Sequence, residues 1–222
     1  MKISQIVPDS QRPELSRLIL QNGTVLTVET AYVQTGRLQP GDDADVETLA
    51  ALQSHDDENR LMEAALRFLG PRPRSRAEIR RRLLRPGKPS TPQDPEAIER
   101  VLDRLEGYNY VNDADFARFW VENRDRFNPR AARVVRQELR QRGVARDTTD
   151  DATDPELDTE RALNAGRKYT SRLTGMEYQS FRERTGQFLM RRGFSYDVTR
   201  ATVQALWNEL PHDEPDGDSG DE

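Results

Sequence analysis

Three glycines of this 222-residue chain, Gly87, Gly143 and Gly193, each follow a leucine by four residues with arginine between them: Leu83–Gly87, Leu139–Gly143 and Leu189–Gly193. A buried leucine followed at that distance by glycine marks a helix end, because glycine enters the left-handed conformation that closes a helix without a Cβ clash. The glycines are 56 and 50 residues apart. A period of that length holds three short helices, which predicts three tandem three-helix units at 60–109, 110–158 and 159–210. Each unit is expected to bury one face on its neighbour, giving an elongated array.

Helix start signals support the same division. Ser75-x-x-Glu78 is a capping box ahead of Ile79 and Leu83. Asp94-Pro95 supplies a cap and a proline at the first helical position, before Ile98, Val101, Leu102 and Leu105. Asn112 or Asp113 caps a helix carrying Phe116, Phe119 and Trp120. Asn128-Pro129 repeats the cap-proline device before Ala132, Val135 and Leu139. Thr174-x-x-Glu177 reads as a second capping box, leading to Phe181, Phe188 and Leu189, and Ser195 precedes Val198, Ala201, Ala205 and Leu206. The middle unit lacks an evident third helix. Arg146 to Pro155, RDTTDDATDP, has almost no apolar residue and reads as a loop or degenerate turn.

Ahead of the repeats, residues 14–33 read as a β-hairpin, with Asn22-Gly23 as a two-residue type I′ turn. Val46, Leu49 and Leu52 predict a short helix, and Ser54–Asn59 an acidic linker. A boundary near residue 58 therefore sets off an N-terminal region, 1–58. The tail, 211–222, is acidic and low in complexity and is expected to be disordered. The fold class is mainly α: an elongated array of three three-helix repeats preceded by a small β-hairpin region.

Most chemistry finds no residues here. The chain has no cysteine, and its two histidines, His55 and His212, lie in polar stretches. That disfavours a thiolate metal site, a histidine metal site and a histidine triad. A phosphate-binding loop ending at Gly87-Lys88 needs glycine where Arg82 stands, and Pro89 replaces the hydroxyl residue. Asp113 and Asp115 are candidates for metal or acid–base work. Their place in a first helical turn, where negative charge is favoured, explains both as caps. No catalytic centre, metal or cofactor is expected, and the chain reads as a binding protein rather than an enzyme. No apolar run approaches the roughly 18 residues of a membrane span. The N-terminus has no signal-peptide core, so a soluble cytoplasmic protein is expected.

Charge is the remaining signal. The net charge of −5 conceals segregation: residues 60–146 carry +9 and 161–210 carry +5, between acidic stretches 1–59 (−6), 147–160 (−7) and 211–222 (−6). Of 34 basic residues only Lys2, Lys88 and Lys168 are lysine, so the basic surface is guanidinium, suited to carboxylate or phosphate. Arg130, Arg133, Arg136 and Arg140 fall on one flank of the helix after Pro129, with Arg142 at its end. Arg76, Arg80, Arg81 and Arg82 surround Ile79 and Leu83 in the first unit. Arg182, Arg184, Arg191 and Arg192 do the same in the third. These stripes are either solvated helix faces or one repeated binding surface. Tyr108 and Tyr110 are candidates for stacking on bases; Phe116, Phe119 and Trp120 read as core.

At these residues the chain resembles the RecX family. The resemblance rests on Ala64-Ala65-Leu66-x-x-Leu69 with Arg74-Ser75-x-x-Glu78-Ile79; on Tyr110-Val111-Asn112-Asp113-x-x-Phe116-Ala117 with Trp120 and Arg124; on Glu138-Leu139-x-x-x-Gly143-Val144; and on Arg192-Gly193-Phe194. These marks span about 61–210. The polar 146–155 segment departs from the family, which usually has a short helix there. The resemblance implies a non-enzymatic regulator that binds the filament of the RecA recombinase on single-stranded DNA and inhibits its ATPase and strand exchange. The partner surface is then expected to include Arg76, Arg80, Arg81, Arg82, Arg124, Arg130, Arg133, Arg136, Arg140, Arg142, Arg191 and Arg192. The alternative is a direct DNA-binding protein with helix-turn-helix-like basic repeats. Binding to bare DNA is expected to be weak in the first case, and the protein to be a monomer. Reversal of Arg133, Arg136 and Arg140 to glutamate is expected to abolish inhibition with helix content unchanged.

Overall fold

The computed structural model describes residues 1–85 and 94–210. Gly87, Lys88 and the acidic tail, on which some expectations fall, lie outside the described residues. The chain divides into two compact units, residues 1–112 and a second beginning at Asp113.

The first unit opens with a three-stranded antiparallel sheet, β1 (Ile3–Pro8), β2 (Leu15–Leu20) and β3 (Val25–Glu29), in that order. The expected hairpin is β2–β3, with Leu18 opposite Leu26 and Ile19 opposite Val25. Its turn differs in type. The Gly23 N–H donates to the Leu20 carbonyl and the Leu20 N–H to the Thr24 carbonyl. Gly23 alone in the turn has positive φ, +82°. This is a three-residue type I turn closed by a glycine bulge rather than a type I′ turn. The strand reading to Val33 also runs too far, because α1 (Thr30–Thr35) begins directly after β3. β1 lies outside the sequence reading. It pairs with β2 and buries Ile3 in the cluster of Leu18, Leu20, Leu26, Val28 and Leu52.

The short helix, the acidic linker and the break near residue 58 are replaced by one helix, α2 (Val46–Leu69). At 24 residues it is about 36 Å long. Asp45 caps it through the Thr48 N–H (2.8 Å). The polar stretch 54–59 is helical because two of its residues satisfy the sheet. Asp56 accepts from the Thr27 N–H (2.7 Å), and Asn59 donates to the Thr27 carbonyl (3.0 Å). Both backbone groups of Thr27, on the open edge of β3, are thereby paired. Leu49 and Leu52 pack on the sheet, while Leu61 and Ala65 pack with α3 (Arg76–Leu83) and α4 (Pro95–Gly107). One rod thus serves two cores. The Ser75–Glu78 capping box and the Asp94 cap form as read.

The second unit holds two three-helix sets. The first is α5 (Asp113–Phe127), α6 (Ala132–Gln141) and α7 (Arg146–Ala152), around Phe116, Ala117, Val121, Val135, Leu139 and Val144. The second is α8 (Asp158–Thr170), α9 (Tyr178–Arg191) and α10 (Tyr196–Asn208), around Phe181, Leu189, Phe194, Val203 and Leu206. The helix at 146–152 corrects the loop expected there. Thr149 is fully buried and its hydroxyl bonds back to the Arg146 carbonyl (2.7 Å), so a threonine fills the place of an apolar residue.

Two start signals also shift. Asn128-Pro129 does not cap α6, whose N-cap position is Ala131. Its Ala132 N–H is capped instead by Asp158 from α8 (2.8 Å). α9 begins after Glu177, not after Thr174. The two described helix ends close as read, and by one device. Val144 N–H donates to the Leu139 carbonyl and Gly143 N–H to Arg140; Phe194 and Gly193 repeat this with Leu189 and Met190. Gly143 and Gly193 have φ of +85° and +92°. Each pair is a Schellman motif, with its leucine packed near the following apolar residue.

Candidate partner-binding surface

In the first repeat, Arg76 reaches three carboxylates of α4: Glu99 (2.7 Å), Asp103 (2.9 Å) and Glu106 (2.6 Å). Arg80, one turn on, meets Glu99 at 2.5 Å. Positions 99, 103 and 106 share one stripe of α4, and 76 and 80 one stripe of α3, so the pairing follows from helical spacing. Hydrogen bonds from Arg80 and Arg76 hold the Glu99 carboxyl below its ordinary range, burial opposing them. Arg81 and Arg82 are exposed, and the Arg81 Nε donates to the Ala77 carbonyl of its own helix.

The second repeat is organised around Glu138. Its carboxylate accepts from the Trp120 indole N–H (2.8 Å) and from Arg124 (2.7 Å), and pairs with Arg130 (3.2 Å). Arg142 lies 3.7 Å from the centre of the Trp120 ring and donates to the Glu138 carbonyl. A half-buried tryptophan is thus held by two guanidiniums and one carboxylate, and cation–π contact adds to the ion pair. Phe116 is fully buried, as read. Tyr108 and Tyr110 are 64% and 61% exposed.

The α6 stripe turns toward other parts of its own unit. Arg136 Nε bonds Thr153 Oγ1 (2.6 Å) and pairs with Asp150 (3.2 Å), which also takes Arg140 (3.3 Å). Arg133 donates to the Gly193 carbonyl (2.6 Å), joining the second repeat to the third. Charge reversal at these three arginines therefore breaks internal contacts, and unchanged helix content is not expected of it. From the other side, Arg192 donates to Asn128 Oδ1 and to the Pro129 carbonyl (2.9 Å), with its guanidinium over the Phe188 ring. Burial, then the nearby Arg130 charge, lowers the Arg192 pKa.

The sequence reading passed over Arg161. It is 5% exposed and binds Asp125 through two nitrogens (2.8 and 3.1 Å) and the Asp154 carbonyl (2.6 Å). Burial pulls its pKa down, but the hydrogen bonds and negative charges of Asp125 and Asp158 together raise it above its ordinary value. The local pattern shows only Asp158, three residues earlier at 3.4 Å, while the acid held through two nitrogens is 36 residues away. Of the twelve arginines singled out from sequence, Arg82 and Arg191 face solvent with no side-chain partner among the described residues. Arg81 holds only a carbonyl of its own helix. Arg182, Arg184 and Arg200 on α9 and α10 are equally open.

Asp115 pairs with Arg118 in its own helix. Among the described residues no three histidine or carboxylate side chains are placed to hold a metal ion, and no helix is long and apolar enough to cross a membrane.

Three successive three-helix sets, the first fused through α2 to a small sheet, define a modular helical-repeat protein. The repeats match three domain descriptions in chain order: RecX first three-helix domain at 62–105, second at 112–152 and third at 156–203. The chain belongs to the RecX family. It is 34% identical to "Regulatory protein RecX" of Prosthecochloris aestuarii, over 69% of this chain and 97% of that protein. It is 27% identical to the Bacillus subtilis protein of the same name, over 95% of this chain and 79% of the relative. A crystal structure of regulatory protein RecX superposes with TM-score 0.69 at 25% identity, covering 91% of this chain and 98% of that one. RecX from Lactobacillus salivarius shares the fold, with TM-score 0.57 over 69% of this chain and 98% of that chain.

Proposed function

We propose that this chain regulates the RecA recombinase by binding its filament on single-stranded DNA and lowering ATP hydrolysis and strand exchange. The observation that carries this reading is the match to all three RecX domains, in order, across residues 62–203. The relatives are named regulatory proteins, in keeping with action by binding rather than by catalysis. The same reading carries a cytoplasmic monomer. Open guanidiniums at Arg81, Arg82, Arg182, Arg191 and Arg200 supply groups for carboxylates on the filament or phosphates on its DNA.

The test is RecA ATPase on single-stranded DNA with increasing amounts of this protein. A saturable fall in hydrolysis is expected, and unchanged hydrolysis at saturation removes the reading. Exposed cations without acidic partners on α3 also favour a second reading, direct DNA binding. That reading requires tight binding to bare DNA that weakens steeply with salt, as released counterions dictate.

A further inference from the structure

The third repeat departs from the other two at a pair of aligned positions. Three residues before the leucine that ends the second helix stand Arg80, Arg136 and, in the third repeat, Gly186. Five residues after the N-cap position of the third helix stand Glu99, Asp150 and Arg200. In the first two repeats these positions form an ion pair, Arg80–Glu99 at 2.5 Å and Arg136–Asp150 at 3.2 Å. In the third repeat glycine replaces the arginine, and arginine replaces the acid.

The exchange leaves space and an arginine without an ion-pair partner together. A Cβ on Gly186 would touch only Thr199 Cγ2, at 4.0 Å. Around it a groove of about 890 Å³ runs between α9 and α10, bordered by Arg182, Arg200, Met190 and Tyr196. Met190 and Tyr196 are 55% and 68% exposed. Neither arginine has an acidic partner among the described residues. Two acids also line the groove, Glu183, which accepts from the Gln179 amide (3.0 Å), and Asp197, in the first turn of α10 where the helix dipole favours it; neither is ion-paired with Arg182 or Arg200. Thr199, 5% exposed on the groove floor, has a hydroxyl with no partner.

We propose that this groove is a docking site for a carboxylate-bearing helix of the partner protein, whose acid pairs with Arg200 and Arg182. Two antiparallel helices meeting at a glycine leave a channel into which a third helix lays its ridge. From Tyr178 to Met190 the α9 wall is about 18 Å long, some three turns of a docked helix. Tyrosine, arginine and methionine are the side chains that enrich protein interfaces. The proposal rests on the reading of this chain as a regulator acting on a protein filament.

The test rebuilds in the third repeat the ion pair of the other two. Gly186→Arg with Arg200→Glu fills the groove and reverses its charge, and replaces a helical glycine by a better helix former. Arg200→Glu alone, at an exposed site, is the second variant. Binding to RecA–single-stranded DNA filaments is measured beside binding to a bare oligothymidylate, sedimentation and thermal melting. Both variants are expected to bind filaments about tenfold or more weaker, a change of about 1.4 kcal/mol, with melting, sedimentation and oligothymidylate binding kept. In the cysteine-free chain, Gln187→Cys carrying a benzophenone is expected to cross-link to an acidic helix of the protein component. Wild-type and double variant binding filaments equally well overturns the groove alone. Parallel loss of oligothymidylate binding makes it a nucleic-acid site, and a changed sedimentation makes it a contact between copies; either overturns the proposal. A wild-type chain that does not bind filaments removes the functional reading itself.

Discussion

Helices α6 and α9 occupy the same place in successive repeats and end in the same glycine motif, yet they use their arginines in opposite ways. On α6, Arg133, Arg136 and Arg140 reach a carbonyl, a threonine and a carboxylate inside the unit. On α9, Arg182, Arg184 and Arg191 stay in solvent. The difference originates on the neighbouring helices. α7 brings Asp150 beneath α6, and Gly193 exposes a carbonyl to Arg133; α10 brings Arg200 instead of an acid. An arginine stripe is therefore a structural clamp or an open surface according to what the next helix carries, not according to the stripe itself.

The comparison is broken most severely at the two glycines. Both need positive φ, so Gly143→Ala is expected to cost about 1 kcal/mol. A Cβ on Gly193 would also lie 2.2 Å from Val134 Cγ2. Gly193→Ala is thus expected to cost about 2–4 kcal/mol in urea unfolding. Equal losses at the two sites would mean that the seam between the second and third repeats yields freely.

Charge reversal gives the next largest contrast. Arg136→Glu places a carboxylate beside Asp150 and strips the Thr153 carbonyl of its donor, an expected loss of about 1–3 kcal/mol. Arg182→Glu on α9 should stay within about 0.5 kcal/mol. Thermal melting of both variants checks this, and a stability loss from Arg182→Glu matching that from Arg136→Glu would mean α9 hides a contact.

A third contrast has the opposite sign. The core position four residues before the leucine is Ile79 in the first repeat, Val135 in the second and Thr185 in the third. Thr185 is fully buried and its hydroxyl has no partner. Thr185→Val removes that unsatisfied group and is expected to stabilise by about 1 kcal/mol. Destabilisation would indicate a hydrogen bond formed by that hydroxyl in solution.

What could be read in advance was local. The Ser75 capping box, the Asp94 and Ser195 caps and the closing glycines Gly143 and Gly193 depend on residues within one turn of each other, and all appear as expected. The misreadings share a cause, which is polar residues whose partners are far away in sequence. Asp56 and Asn59 looked like linker because Thr27 is about 30 residues away. Residues 146–152 looked like loop because Arg136 and Arg140 neutralise Asp150 only once α6 and α7 pack. Asn128-Pro129 looked like a cap, and instead receives Arg192.

Sequence alone determined the repeat, its period, its helix ends and a guanidinium-rich surface, because each rests on short-range sterics and on hydrophobic spacing. Tertiary structure decided which guanidiniums are bound and which are free. That choice depends on acids and carbonyls delivered by other helices at hydrogen-bond distance. It made Arg133, Arg136 and Arg192 internal clamps, and left Arg182 and Arg200 facing an open groove.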